Sequence, residues 1–156
     1  MNKKQVDESL AMLRATRAKI QTIFDNYTFD QLNSIPAGFN NNLLWNAGHV
    51  IATMELLTYG LGGQPLPSDQ AFIDRYRKGS KPAPPCPDKD YETIGMGLKS
   101  SINQLEADLQ DLDFRKFRMY TSSYGVTLNS IDEALAFNNV HEAMHLGTML
   151  ALEKLV

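Results

Sequence analysis

Ile94, Leu98, Ile102, Leu105 and Leu109 follow one another at steps of four, four, three and four. That spacing lines one face of an α-helix and suits no other regular element. Three further stretches carry helical signals. Val6, Leu10, Leu13, Ile20 and Phe24 give an amphipathic helix over Lys3 to Asn26, with Arg14, Arg17 and Lys19 set between them. Asn41 or Asn42 can cap a second long helix that runs to about Leu61, where Gly62-Gly63 and then Pro65 stop it. The leucine and isoleucine series predicts a third over about Tyr91 to Leu112, its first turn weakened by Gly95 and Gly97. Ser130 with Glu133 forms a capping-box pattern that opens a fourth, from Ile131 to about Leu155. Thr28 with Gln31 repeats that pattern and predicts a short helical turn over Phe29 to Asn33, ended by Pro36-Ala37-Gly38.

No stretch alternates in the manner of a strand. Four long helices predict an all-α fold, a four-helix bundle with a long crossover between its second and third long helices. That crossover, Gln64 to Asp90, holds six of the seven prolines and only a brief helical signal from Ser68 to Arg77. It reads as a crossover or lid within a single domain, 1–156, because neither flank has enough chain to fold alone. Asp113 to Asn129 reads as a loop containing Tyr120, Tyr124 and Gly125.

A net charge of −3 gives no reason to expect nucleic acid as a partner. The basic run Arg115-Lys116-Phe117-Arg118 is diluted by Asp111 and Asp113 and reads as a solvated loop. Cys86 has no cysteine to pair with, which fits a reducing, cytoplasmic setting. The N-terminus lacks the apolar run of a signal peptide, and no segment approaches the roughly 18 apolar residues of a membrane span, so no membrane is expected as a partner.

The chain has three histidines. His141 and His145 stand four apart and share one helix face, a spacing able to chelate a metal. Ala134, Phe137, Asn138, Thr148 and Leu152 share that face, uncharged throughout, so it points inward. Buried imidazoles need partners for both nitrogens. His49 lies in the apolar second helix, which can face the fourth in a bundle. Metal ligation by His49, His141 and His145 is therefore expected, with a divalent first-row ion bound by neutral nitrogens that leave its full charge to acidify a bound water. The string His141-Glu142-Ala143-Met144-His145 is also literally the zinc-peptidase signature. Those enzymes take a third ligand from downstream, where this chain offers only Glu153, two turns further along the same helix. Glu142 itself projects about 100° around the helix from its neighbouring ligand, toward solvent or another helix.

The Trp45 to His49 segment, the His141-x-x-x-His145-x-Gly147 segment and the long spacing between them resemble the DinB-like (damage-inducible) superfamily of four-helix bundles. That superfamily includes metal-dependent hydrolases and thiol-dependent S-transferases. The resemblance implies a metal site on His49, His141 and His145, a small-molecule substrate and a homodimer packed through helices. Many members carry Gln where this chain has Thr148. The implied activity is metal-assisted, either hydrolysis or transfer from a small thiol, with nickel or zinc foremost as the ion and iron or manganese next. The alternative is a non-catalytic bundle, stapled by the histidines, that binds a partner or dimerises. Around the site, Trp45 is expected as core or pocket wall. Asn46 and Asn138, each three residues before a ligand, are candidates to hold an imidazole from behind. Tyr120 and Tyr124 are candidates to reach the open metal positions or simply to pack the loop, and Cys86 has no nearby cation to activate it.

Overall fold

Asn2 opens the first helix, its side-chain oxygen accepting from the Gln5 amide at 3.4 Å. The computed structural model describes residues 2–156. Its elements are α1 (Lys3–Asn26), α2 (Phe29–Asn33), α3 (Leu43–Glu55), a π-helical turn (Leu56–Gly60), α4 (Gln70–Tyr76), α5 (Asp88–Asp111), β1 (Tyr120–Thr121), β2 (Thr127–Leu128) and α6 (Ile131–Leu152). The chain is predominantly helical, as the periodicity predicts, with six α-helices and one π-helical turn among the described residues. None is long and apolar enough to cross a membrane.

Capping explains where the elements begin. Thr28 and Gln31 form the complete capping box, and Asn42, not Asn41, caps α3 by accepting from the Trp45 amide at 2.7 Å. The helical signal at 68–77 is realised as α4, capped by Asp69. α5 starts at Asp88, three residues before the expected Tyr91. Pro87 suits a helix start, and Asp88 and Asp90 in the first turn oppose the positive end of the helix dipole. Asp90 is also buried, accepting from Arg75 at 2.5 and 2.7 Å. α6 ends at Leu152, short of the expected Leu155.

The reading without strands is corrected by a small antiparallel ribbon in which Tyr120 pairs with Leu128 and Thr121 with Thr127. Two-residue strands are too short to leave an alternating pattern in the sequence. Gly125, at φ 75°, makes the turn between them.

α3 is the element the others enclose. It packs on α1, α2, α4, α5 and α6, and every residue of it is buried except Thr53, as expected of a helix that is apolar on nearly all sides. Gly97 permits the approach of α5, since a Cβ there would stand 2.9 Å from Ile51. Beyond Glu55 the helix widens, with Leu61 N–H reaching back five residues to the Leu56 carbonyl at 3.0 Å. The Thr58 hydroxyl donates to the Met54 carbonyl at 2.7 Å and so competes for the acceptor that an α-helical turn would use. Such wide turns are frequent at functional sites.

Candidate metal centre

α3 delivers His49, and α6 delivers His141 and His145 one turn apart. All three sequence-predicted ligands come together: one nitrogen from each lies within 4.8 Å of the others. His49 Nε2 and His141 Nε2 are 3.2 Å apart. Two nitrogens on one tetrahedral ion, each at 2.0–2.1 Å, stand about 3.3 Å apart, so this pair has the separation of co-ligands.

Two rings are held from behind in the tautomer a metal requires. His49 Nδ1 lies 2.5 Å from the Tyr76 carbonyl. A carbonyl only accepts, so Nδ1 carries the proton and Nε2 keeps its lone pair. His145 Nδ1 lies 2.8 Å from Asn46 Oδ1. The Asn46 amide nitrogen is spent on Asn42 O at 2.7 Å and Asn41 Oδ1 at 3.2 Å, so its oxygen faces His145 and accepts. Asn46 thus holds an imidazole, as expected, although the ring belongs to the opposite helix. Asn138 does not: its amide donates to Glu142 at 3.2 Å. His141 lacks support from behind, its buried Nδ1 having no partner among the described residues. Trp45 is buried and stacks on His49, with ring centres 4.6 Å apart and planes 12° off parallel. It backs the ring without lining the cavity in front.

Gly48 makes the Tyr76 contact reachable. A Cβ at that position would collide with the Tyr76 ring, so only glycine lets the end of α4 come close enough to accept from His49. Neither Tyr76 nor Gly48 stood out in the sequence, because the acceptor is a main-chain carbonyl and leaves no side-chain signature.

Burial pushes all three imidazoles below the usual histidine range, and the neighbouring rings reinforce this for His141 and His145, each brought down to about 3. The rings are therefore neutral at pH 7 and free to ligate. All three folded-state pKa values lie below the unfolded value near 6.5, so the unfolded chain binds more protons and stability is lost as pH falls below about 6.5, for His141 and His145 down toward 3. Each histidine then contributes up to about 1.4 kcal/mol per pH unit. We expect the urea midpoint of chelator-treated protein to fall already between pH 6.5 and 5, above the range where ordinary carboxylates titrate. A midpoint flat over that window would contradict the assignment.

Glu142 faces a neighbouring helix, not the histidine cluster. It is fully buried and accepts two bonds from the Arg17 guanidinium, at 2.5 and 3.0 Å. Arg17 also donates to Ser101 at 3.0 Å. With both oxygens engaged, Glu142 has no part as a general base, and the peptidase reading fails on geometry as well as on its missing third ligand.

The histidines line a cavity of about 440 Å³. Leu56, Leu57 and Leu61, from the π turn and the residue after it, line its apolar part with Phe137. Tyr120 of the ribbon and Ser122, Ser123 and Tyr124 of its turn line it too, so both tyrosines border the cavity that the histidines line. The Tyr124 hydroxyl donates to Met144 sulfur at 2.9 Å, and its ring meets Phe137 edge-on. Thr148 is turned away, its hydroxyl donating to the Met144 carbonyl of its own helix at 3.2 Å. Burial raises the Cys86 thiol to about 11, which leaves it inert.

The family model described as the DinB superfamily matches residues 12–149, a span that holds all three histidines. Among curated proteins none matches the chain. With that match over most of its length, the chain belongs to the DinB superfamily.

Proposed function

We propose that the chain is a divalent-metal-dependent enzyme acting on a small molecule, as a hydrolase or a small-thiol S-transferase. In this reading its four long helices form the bundle, the stretch expected as the crossover, Gln64 to Asp90, connects the second and third of them up to the start of α5 at Asp88, and His49, His141 and His145 are the ligands. The observation that carries the proposal is the pair of fixed tautomers: Tyr76 and Asn46 take the Nδ1 protons of His49 and His145 and leave their Nε2 lone pairs for the centre. A divalent ion held there supplies Lewis acidity. The protein contributes the rest. Trp45 fixes the plane of His49, and the leucines with Phe137 exclude water from around a bound substrate. Thr53, with its hydroxyl 3.3 Å from His49 Nε2, stands beside the ligands as a polar contact. An open cavity beside the histidines favours catalysis over a mere staple, which has no use for one.

Elemental analysis of protein loaded with nickel or zinc tests the proposal. We expect one ion per chain, lost in His49→Ala and His145→Ala variants that retain their helical circular dichroism. A screen against esters, amides and thiol-reactive electrophiles, run with and without a small thiol, separates the two chemistries. A thiol that shifts the visible spectrum of the cobalt-substituted protein marks the transferase. Folded protein that takes up no ion refutes the proposal, and a metalloprotein inert throughout the screen leaves only the staple.

A further inference from the structure

The chain carries 18 acidic residues against 15 lysines and arginines, yet among the described residues no aspartate or glutamate lines the histidine cavity, whereas Lys78 and Arg118 both do. Five of the six arginines, Arg14, Arg17, Arg75, Arg77 and Arg115, are ion-paired with a carboxylate within the chain. Arg118 is the sixth, and no carboxylate among the described residues pairs with it or with Lys78. The basic run that the sequence presents as one solvated loop is thus divided: Arg115 is spent on Asp113 at 2.8 and 2.9 Å, while Arg118 lines the cavity.

Both cations are carried on segments anchored to the helix that bears His49. The Arg118 amide donates to the Leu61 carbonyl at 2.7 Å, just past the π turn. Gly62 allows the approach, because a Cβ there would stand 2.5 Å from the Phe114 ring. Lys78 follows two residues after Tyr76, whose carbonyl accepts from His49. Positive charge placed in a concave, partly apolar site concentrates field and draws anions, and anchoring reduces the ordering cost of binding. The volume of about 440 Å³ suits a small organic molecule, not an inorganic ion alone.

On the reading that this cavity is the substrate site, we propose that it selects an organic anion. The apolar body of the ligand packs on Leu56, Leu57 and Phe137, and its carboxylate, sulfonate or phosphate pairs with Arg118 and Lys78. These two residues determine specificity and take no part in metal ligation.

The test compares anilinonaphthalene sulfonate, an apolar body bearing one anion, with uncharged N-phenylnaphthylamine, which has the same rings without it. Fluorescence titrations are run on zinc-loaded and chelator-treated protein. We expect the sulfonate to bind about tenfold tighter than the neutral probe, in line with a charge-assisted bond. In the Lys78→Gln/Arg118→Gln variant the preference should shrink to about twofold or less. Both side chains are exposed, so this variant folds, and circular dichroism verifies it. Failure of the sulfonate to bind, absence of a preference in the wild type, or a preference that survives in the variant overturns the inference. Zinc stoichiometry is measured on the same samples. Bound zinc without anion preference refutes the specificity alone, whereas anion preference without zinc upholds it and refutes the metal proposal.

Discussion

Arg17→Met should cost about 3–5 kcal/mol of folding stability, the range for breaking a buried ion pair and stranding one partner. Arg17 is 2% exposed and Glu142 0%, so solvent cannot rescue the orphaned carboxylate. The loss also removes the bond to Ser101 on α5 and the 3.8 Å contact with Met54 on α3, so one side chain on α1 touches all three other long helices. Exposed pairs such as Lys4–Glu8 should contribute under about 1 kcal/mol. Urea denaturation provides the comparison. The double change Arg17→Met with Glu142→Leu should recover most of the loss, since replacing both charges by apolar groups of similar volume is often neutral or better. Because Glu142 lies between His141 and His145, Arg17→Met should also weaken zinc binding. A single variant within about 1 kcal/mol of wild type would mean that the pair does not hold the helices.

Chelation should produce the other large effect. An ion bound to the folded chain alone, at a free concentration 1,000 times its Kd, stabilises by about 4.1 kcal/mol. For a chain of this size each kcal/mol moves Tm by roughly 2–4 °C, so stripping the ion should lower Tm by roughly 8–16 °C. His141→Ala and His145→Ala variants should show almost no response to chelator, because the ion they would lose is not bound. His145→Ala should also start from a lower Tm, since it leaves the buried Asn46 oxygen without its partner. Differential scanning calorimetry at fixed metal and protein concentrations reads both effects. An equal chelator response in wild type and variants would place the ion elsewhere.

Most helices were legible because their apolar spacing is regular, and the histidines because three imidazoles on inward faces require an explanation. Arg17 illustrates what escaped. Its charge assigns it to solvent by default, yet Leu13, Arg17 and Ile20 continue the steps of four and three that mark the buried stripe of α1. An arginine that keeps the apolar rhythm was the available signal, and it pointed to a buried carboxylate partner on another helix. Lys78 and Arg118 offered none. They sit in connections whose course is set by tertiary bonds to Leu61 and by Tyr76 reaching His49, and such bonds link residues far apart in the chain. The start of α5 and the end of α6 fall a few residues from their expected positions, because apolar spacing does not mark where a helix stops.

The His49 acceptor belongs to the main chain, and this shifts where mutation is tolerated. Position 76 can change its side chain and still present the same oxygen, provided the new group fills the space of the tyrosine. Position 48 makes no bond at all and has no such freedom, because any larger residue there wedges α4 away from α3. The substitution most damaging to this hydrogen bond therefore falls on a residue that takes no part in it.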